Sequence, residues 1–403
     1  MNISRRKFSA YGGLRSRNRY RFRWVTRLRR LGFVFAFFIL LASASFFSNV
    51  KGDAYVIAPS SASDIESGGK SIGTVPVVAK NTDPATVKKT AAAAATTKIT
   101  ALQASAPIPV VARPAWLDLP LYVDPGNTAT AYASANPSVQ NVNLIAKMGQ
   151  QSVATWFGDW NGSNVTAAVN NVVSAANASG TVPILVFYNI PDRDCGGYSA
   201  TGSLSYAAYL QWVTQAAAGI ANRNAVVILE PDAIAGADCL PSSNQADRYQ
   251  AVSQAVGIIK AQANTSVYID AGNPTWQTPA TIAARLKASN VAGADGFSLD
   301  VSYFSSTSLN VSYGEQVSKL VGGKHYVIDS SRSGGTTATS GALYNPSGAA
   351  LGPIPTTHTT NAHNDALLWI KIPWESDAPV NGGPDAGEPF WSYAVQLAKN
   401  AGW

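Results

Sequence analysis

Two short carboxylate-rich stretches, each directly after an apolar strand-like run and each ending in a cysteine, constrain this chain more than any other feature. In chain order, the runs and the cysteines that end the loops are 183–188 with Cys195 and 225–229 with Cys239. The chain has no other cysteine, so a disulfide between these two would hold the loops against each other. Asp194 and Asp232 would then lie at the same end of two neighbouring strands. Two carboxyl groups held close, one of which keeps its proton, are what glycosidic bond cleavage requires.

The net charge of +7 does not indicate a nucleic-acid partner. Residues 1–30 contain eleven basic residues and no acidic one, and subtracting these eleven charges from +7 leaves −4 for the rest of the chain. The high pI therefore comes from the N-terminal segment, and the mildly acidic body has no basic groove for a phosphate backbone.

Residues 1–48 are predicted to be a targeting region, because an apolar stretch at 31–47 follows the basic segment. Ala42-Ser43-Ala44 fits a small-residue cleavage signal and favours a cleaved signal peptide. The alternative is an uncleaved single-span anchor through 31–47, a stretch near the lower length limit for a membrane span. In both cases the body lies outside the cytoplasm, secreted or anchored to the membrane, where a disulfide persists.

Residues 49–112 are rich in Ala, Thr, Ser, Pro and Val and nearly devoid of aromatic residues. Their hydrophobic periodicity is poor, which is typical of a segment that cannot bury a core. We predict a flexible linker there and a catalytic domain at 113–403.

Apolar runs recur at regular spacing through residues 113–403. Those with strand length are 119–124, 152–157, 183–188, 225–230, 266–270, 296–300, 325–329 and 366–371. Amphipathic, alanine-rich stretches separate most of them, for example 206–221, 245–263 and 278–288. This alternation predicts an α/β fold, a distorted TIM-like (β/α) barrel of about seven to eight parallel strands with its active site at the C-terminal strand ends. An open doubly wound sheet is the alternative.

Charged or aromatic clusters follow nearly every one of these runs. They are Asp124-Pro125, 156–160, 188–195, 230–232, 270–276, Asp300, 329–332 and 371–377. One such cluster means little, since Asp readily caps helices, but eight together predict a functional rim. A structural role in holding loops is expected for Asp124, Asp270 and Asp329, and a core position for Trp369.

A collinear set of motifs spans residues 122–397, at 122–125, 154–158, 191–195, 229–232, 268–272, 296–299, 327–332, 345–346, 350–352, 369–377 and 386–388. Together they resemble glycoside hydrolase family 6, the inverting β-1,4-glucanases, in its bacterial endoglucanase branch. Single motifs of this kind are weak, whereas their order over the whole domain is specific.

The resemblance implies catalytic roles for five residues. Asp232 is expected to be the general acid, with Asp194 raising its pKa and stabilising the oxocarbenium-like centre. Asp377 corresponds to the proposed base, although proton removal through a water chain is the competing view. Tyr188 is expected to contact the distorted sugar, and Arg193 to pair with the carboxylates and keep Asp194 ionised. Inversion predicts carboxyl separations of roughly 6.5–9.5 Å.

The same resemblance implies substrate-binding roles for Trp156, Trp276, Asn273, Lys371 and Glu375.

The three histidines lack metal-ligand spacing, so no metal and no cofactor is expected. The chain departs from the family pattern at Asp300 and Tyr303 (usually Asn), Leu343 (often Trp), Tyr344 (usually Cys) and Ala349 (usually Arg).

The loops that enclose the substrate in exo-acting relatives are short here. Eight residues separate Asp377 from Ala386, and six separate Asp232 from Cys239. Short loops predict an open cleft and internal cutting, and hence an endoglucanase acting on cellulose, soluble cellulose derivatives or mixed-linkage glucan. The alternatives are an exo-acting cellobiohydrolase and a catalytically weak glucan-binding protein. A monomer is expected.

Overall fold

The computed structural model describes residues 113–335 and 343–403. The predicted targeting segment (1–48) and linker (49–112) lie outside these residues. Within the described part of the chain, no helix is both long and apolar enough to cross a membrane.

Seven parallel strands form one sheet in the described residues, and each strand pairs with its neighbours in sequence. The strands are β1 (Thr155–Phe157), β2 (Ile184–Phe187), β3 (Ala225–Leu229), β4 (Thr265–Asp270), β5 (Gly296–Leu299), β6 (His325–Asp329) and β7 (Asn364–Leu368). The sheet curls, because the Ala154 N–H donates to the Trp369 carbonyl at 2.9 Å and so joins the start of β1 to the end of β7. The predicted α/β barrel-like fold is confirmed.

Helices connect the strands and cover the sheet. The described α-helices are α1 (Thr128–Ala135), α2 (Val142–Gly149), α3 (Val165–Ala178), α4 (Tyr206–Ile220), α5 (Ser242–Lys260), α6 (Pro279–Ala288), α7 (Thr307–Leu320) and α8 (Trp391–Asn400). Short 3-10 helices lie at Ala115–Asp118, Asp159–Asn164, Arg193–Gly196 and Ala237–Cys239. Several α-helices begin at a side-chain cap; Ser205, for example, accepts the Ala208 N–H at the start of α4.

The apolar runs are strands because both of their faces are buried. In β2, Ile184 and Val186 pack in the core inside the curled sheet, whereas Leu185 and Phe187 pack in the core beneath the helices. The same alternation continues in β3 and allows a nearly continuous apolar sequence.

The prediction of a strand at 119–124 was wrong. Only Leu121 forms a bridge, to Val182 beside the start of β2. Pro120 in this segment has no N–H to contribute to a ladder, which limits the pairing.

Strand β7 begins two residues earlier than predicted and ends at Leu368. The N–H groups of Ile370 and Lys371 donate to the Asp329 carboxylate, at 3.2 and 2.9 Å, and not to a neighbouring strand. Asp329 therefore ends β7 and opens the loop that follows it, which is the loop-holding role expected for this residue.

Asp300, which directly follows β5, has a side chain that is costly to ionise. It is 1% exposed, and among the described residues its carboxyl oxygens make no hydrogen bond of good geometry, although Ser305 and Asn310 approach closely enough to oppose part of the rise in its pKa. Burial, and after it the charge of Asp329, raises the pKa of Asp300 well above its usual range. The folded state therefore holds a proton that the unfolded chain releases, and stability falls as the pH rises above the unfolded pKa.

Asp300→Asn is therefore expected to stabilise the protein, with a gain that grows by about 1.4 kcal/mol per pH unit above the unfolded pKa of about 4 until the folded pKa is reached. Urea unfolding at pH 5, 6.5 and 8 measures this gain. Asp118→Asn, at an exposed position, is the control and should stay within about 0.5 kcal/mol of wild type. Equal stability of Asp300→Asn and wild type at pH 8 would contradict the expectation.

Candidate active site

The ends of β2 and β3 bring the two carboxylate-rich loops together. These strands are adjacent and parallel, so Asp194 and Asp232 follow them at the same edge of the sheet. Cys195 and Cys239 form a disulfide with their Cα atoms 6.0 Å apart. The predicted disulfide is confirmed, and it links the loop that carries Asp194 to the loop that carries Asp232.

Both loops contain left-handed backbone at residues other than glycine. These are Asp192 (φ 52°), Asp194 (φ 55°), Cys195 (φ 49°), Glu230 (φ 51°) and Asp232 (φ 69°). Such conformations cost free energy and persist only where the surroundings hold them. Gly197 shows how closely the first loop folds, since a Cβ there would lie 2.5 Å from Asp194 Oδ2.

Glu230 fixes the start of the Asp194 loop. Its buried carboxylate accepts the backbone N–H groups of Asn189 and Ile190, each at 3.0 Å. Burial raises the pKa of Glu230 to about 7, against the opposing effect of these two hydrogen bonds. The end of β3 is thereby tied to the loop after β2 by side chain as well as by disulfide.

Arg248, in α5, lies beneath both loops and contacts each of them, a role that was not predicted from the sequence. Its guanidinium donates to the carbonyls of Pro191 (2.5 Å), Asp192 (3.1 Å) and Ala233 (3.4 Å). The side chain is 1% exposed. A signal was available in the sequence, because Arg248 begins the buried stripe that continues at 251, 252, 255, 256 and 259.

The surroundings of Asp232 favour its protonated form. Burial is the largest cause that raises its pKa well above the usual range, followed by the charge of Asp270 and then that of Asp194. Asp270 Oδ2 also accepts the Asp232 N–H at 2.9 Å. Asp194 was expected to be the main cause of this shift and Asp270 to have only a structural role; in the structure, Asp270 has both a structural and an electrostatic role.

Arg193 does not have the partners that were predicted for it. Its guanidinium pairs with Asp159 at 2.9 Å and donates to the carbonyls of Tyr188 (2.6 Å) and Ser199 (2.8 Å). It also lies 4.7 Å from the centre of the Tyr188 ring. The Arg193 side chain is buried within the left-handed turn at 192–195 and forms its ion pair with Asp159 and not with Asp194, so the expected pairing with the catalytic carboxylates was wrong. Arg193 instead fixes the loop and the Tyr188 ring.

Asp377 lies in the loop after β7 and is held by positive charge. Arg332 Nη1 lies 2.9 and 2.7 Å from its two carboxylate oxygens, and Lys371 Nζ lies 3.9 Å away. The Asn345 N–H also donates to Asp377, at 3.2 Å. Lys371 further approaches Glu375 at 3.8 Å. These contacts fix the position of the Asp377 carboxylate in the loop after β7.

Two of the predicted sugar-binding aromatics are accessible at this face. Trp156 is half-buried; its Nε1–H donates to the Ile370 carbonyl at 2.9 Å, and its ring meets Tyr188 edge to face at 5.4 Å. Trp276 is 43% exposed and lies against Gly236, where a Cβ would be 3.1 Å from the indole. Trp369 is 1% exposed, as expected of a core residue.

Asn273 also follows β4 but is 3% exposed, and its side-chain oxygen accepts both the N–H and the hydroxyl of Thr275. The carbonyl oxygen of this side chain is thus engaged within its own loop. Among the described residues, no three His, Cys, Asp or Glu side chains are grouped so that they could hold a metal ion.

Comparison with known proteins gives a consistent result. The profile of the family described as "Glycosyl hydrolases family 6" matches residues 117–401. Endoglucanase 1 of Streptomyces halstedii is 40% identical over 295 residues, which cover 71% of this chain and 90% of that protein. Endoglucanase A of Cellulomonas fimi is 40% identical over 293 residues, which cover 70% of this chain and 61% of that protein.

A solved structure is similar over the same region. It is the endoglucanase Cel6 from Mycobacterium tuberculosis in complex with methyl-cellobiosyl-4-deoxy-4-thio-β-D-cellobioside. The two chains are 40% identical and superpose with a TM-score of 0.68, covering 71% of this chain and 98% of that one.

Proposed function

The chain belongs to the glycosyl hydrolases family 6, and from this membership we propose that it is an endo-β-1,4-glucanase that hydrolyses internal bonds of cellulose or related β-glucans with inversion. The observation that carries the proposal is the placement of Asp194 and Asp232 at the ends of adjacent strands whose loops a disulfide joins, with the pKa of Asp232 raised by burial, then Asp270, then Asp194. A carboxyl group that keeps its proton beside a second carboxylate is the pair that this reaction requires.

The proposed reaction begins with Asp232 as general acid. It gives its proton to the glycosidic oxygen while the bond from that oxygen to the anomeric carbon breaks. Asp194 stabilises the positive charge that develops on the sugar ring. A water attacks the anomeric carbon from the opposite face, and its proton passes to Asp377, directly or through a second water. Inversion requires room for that water, so carboxyl separations of roughly 6.5–9.5 Å are expected in a substrate complex.

The remaining site residues are assigned to substrate binding. Trp156 and Trp276 offer apolar faces for the C–H sides of glucosyl units, and their exposure supports this role. Lys371 and Glu375, 3.8 Å apart, offer polar partners for sugar hydroxyls. Asn273 is the weakest member of this group, because its side-chain oxygen is already occupied by Thr275.

The test is hydrolysis of carboxymethyl cellulose and barley β-glucan by the full-length protein, followed by viscosity, reducing ends and NMR of the first products. An endo-acting enzyme lowers viscosity rapidly while few reducing ends form, and an inverting one releases the α-anomer first. Cellobiose as the main product with slow viscosity loss would support the exo alternative. Binding without hydrolysis of either polymer would support the glucan-binding alternative.

We also propose that residues 1–48 direct the catalytic domain out of the cytoplasm and that 49–112 separate it from the membrane or cleavage point. Hydrolysis of a polymer too large to enter a cell supports an external location, as does the disulfide. The mass of the protein recovered from culture medium and from membranes distinguishes cleavage from anchoring. A domain found only in the cytoplasm would contradict the proposal.

The catalytic domain is proposed to act as a monomer.

A further inference from the structure

Two tyrosine side chains from different loops meet at the active face. The rings of Tyr198 and Tyr344 contact edge to face, with centroids 5.2 Å apart and planes at 84°. Tyr198 lies in the loop after β2 and is 52% exposed. Tyr344 lies in the segment between β6 and β7 and is half-buried. Neither residue belongs to the site described above.

The residue after each tyrosine makes a backbone hydrogen bond that shows where the contact between Tyr198 and Tyr344 lies. The Ser199 N–H donates to Asp194 Oδ2 at 2.7 Å, and the Asn345 N–H donates to Asp377 Oδ2 at 3.2 Å. Each ring is therefore attached directly beside a hydrogen bond to one of the proposed catalytic carboxylates. The pair joins the loop of Asp194 to the loop of Asp377.

The order of the strands shows that the contact between Tyr198 and Tyr344 spans the end of β1. Asp194 follows β2 and Asp377 follows β7, and β1 lies between these two strands. The two tyrosines therefore connect the loops on either side of the β1 end, which carries Trp156. Burial, then the charge of Asp194, then Tyr198, Asp377 and Asp232, raise the pKa of Tyr344, in agreement with its position between the loops of Asp194 and Asp377.

We propose that Tyr198 and Tyr344 form an aromatic bridge across the cleft at the point of cleavage, and that the bridged rings contact the glucosyl unit bound over Trp156. This inference rests on the proposed function of the site. The bridge is not covalent, and an edge-to-face pair is weak enough to open when an internal segment of a glucan chain enters from the side. Once the bridge has closed, it keeps the chain in the cleft for further cuts. The predicted open cleft is thus closed locally by side chains, not by long loops.

The test compares wild type with Tyr198→Ala, Tyr344→Ala, the double Ala variant and Tyr344→Phe on phosphoric-acid-swollen cellulose. The measured quantity is the ratio of soluble to insoluble reducing ends, which reports cuts made per binding event. Each Ala variant is expected to lower this ratio about two- to tenfold, the range that the energy of one aromatic pair supports. The double variant should lose no more than either single variant, and Tyr344→Phe, which keeps the ring contact, should match wild type.

An unchanged ratio in both single Ala variants would overturn the bridge, and so would effects that simply add in the double variant, since separate rings would then act independently. Thermal unfolding of each variant separates loss of folding from loss of contact. Tyr198→Ala, at an exposed position, decides the matter alone if Tyr344→Ala does not fold. Wild-type protein that does not hydrolyse any β-glucan would instead contradict the proposed function.

Discussion

Replacement of Asp232 by Asn is expected to lower kcat on soluble β-glucan by about 100- to 10,000-fold, the contribution of a positioned general acid. Asn keeps the size of the side chain and the backbone N–H that donates to Asp270, so the loop should retain its conformation. Its amide has no acidic proton to give to the leaving oxygen. Initial rates on carboxymethyl cellulose measure the loss, and calorimetric titration with cellohexaose checks that binding is retained.

Asp192→Asn is the matched control for this variant. Asp192 lies in the neighbouring catalytic loop, is exposed and has the same left-handed backbone, which Asn tolerates. Its contact with Arg248 is made by the backbone carbonyl and so survives the substitution. This control should keep most of the activity. If Asp232→Asn kept more than a tenth of wild-type kcat, another group would have to be the acid.

The environment of Asp232 also explains why its neighbours Asp270 and Asp194 have different roles. Burial is the first cause of its raised pKa, and the half-buried Asp232 follows β3, whose residues are all buried. Asp270 is the second cause and acts at the end of β4, where it also accepts the Gly272 N–H at 3.1 Å. A single carboxylate can thus shape a loop and hold a proton on its neighbour. Asp194 is left free to face the sugar.

The sequence could predict the paired loops because each signal was local. An apolar run marks a buried strand, the residues after it mark the active edge, and a chain with two cysteines has one possible disulfide within itself. The placement of Asp194 and Asp232 at one edge of a parallel sheet follows from these three facts, whereas the choice between a barrel-like and an open doubly wound sheet does not.

The contacts that hold the loops could not be predicted in the same way. Arg248 reaches Pro191 and Ala233 only because α5 packs beneath both loops, and no short-range pattern encodes that approach. Arg193 is next to Asp194 in sequence, yet within this left-handed turn its ion pair is with Asp159. Where backbone conformation is unusual, adjacency in sequence is a poor guide to pairing.

Arg332→Met is expected to cost about 3 kcal/mol of unfolding free energy, the largest loss of stability expected here. Arg332 is fully buried and Asp377 is 9% exposed, so the variant would leave a buried carboxylate without its main partner. The loss should lie at the lower end of the usual 3–5 kcal/mol, because Lys371 Nζ remains 3.9 Å away. Urea unfolding at pH 7 measures it.

Arg113→Met is the matched control, since Arg113 and Asp118 also form an ion pair, at 3.8 Å, but with side chains 54% and 81% exposed. Removal of this exposed partner should change stability by less than about 1 kcal/mol. A similar cost for both variants would mean that burial does not set the strength of the Arg332 pair.

The double variant Arg332→Met/Asp377→Asn separates the two roles of Asp377. Removing the unpaired charge should restore part of the stability that Arg332→Met loses, because the neutral amide no longer needs a cationic partner. The double variant should nevertheless have low kcat, because the amide at position 377 cannot accept the proton of the attacking water. Recovery of both stability and kcat would mean that Asp377 has only a structural role. Another group would then accept the proton of the attacking water through a water chain. Recovery of stability without kcat supports Asp377 as the base.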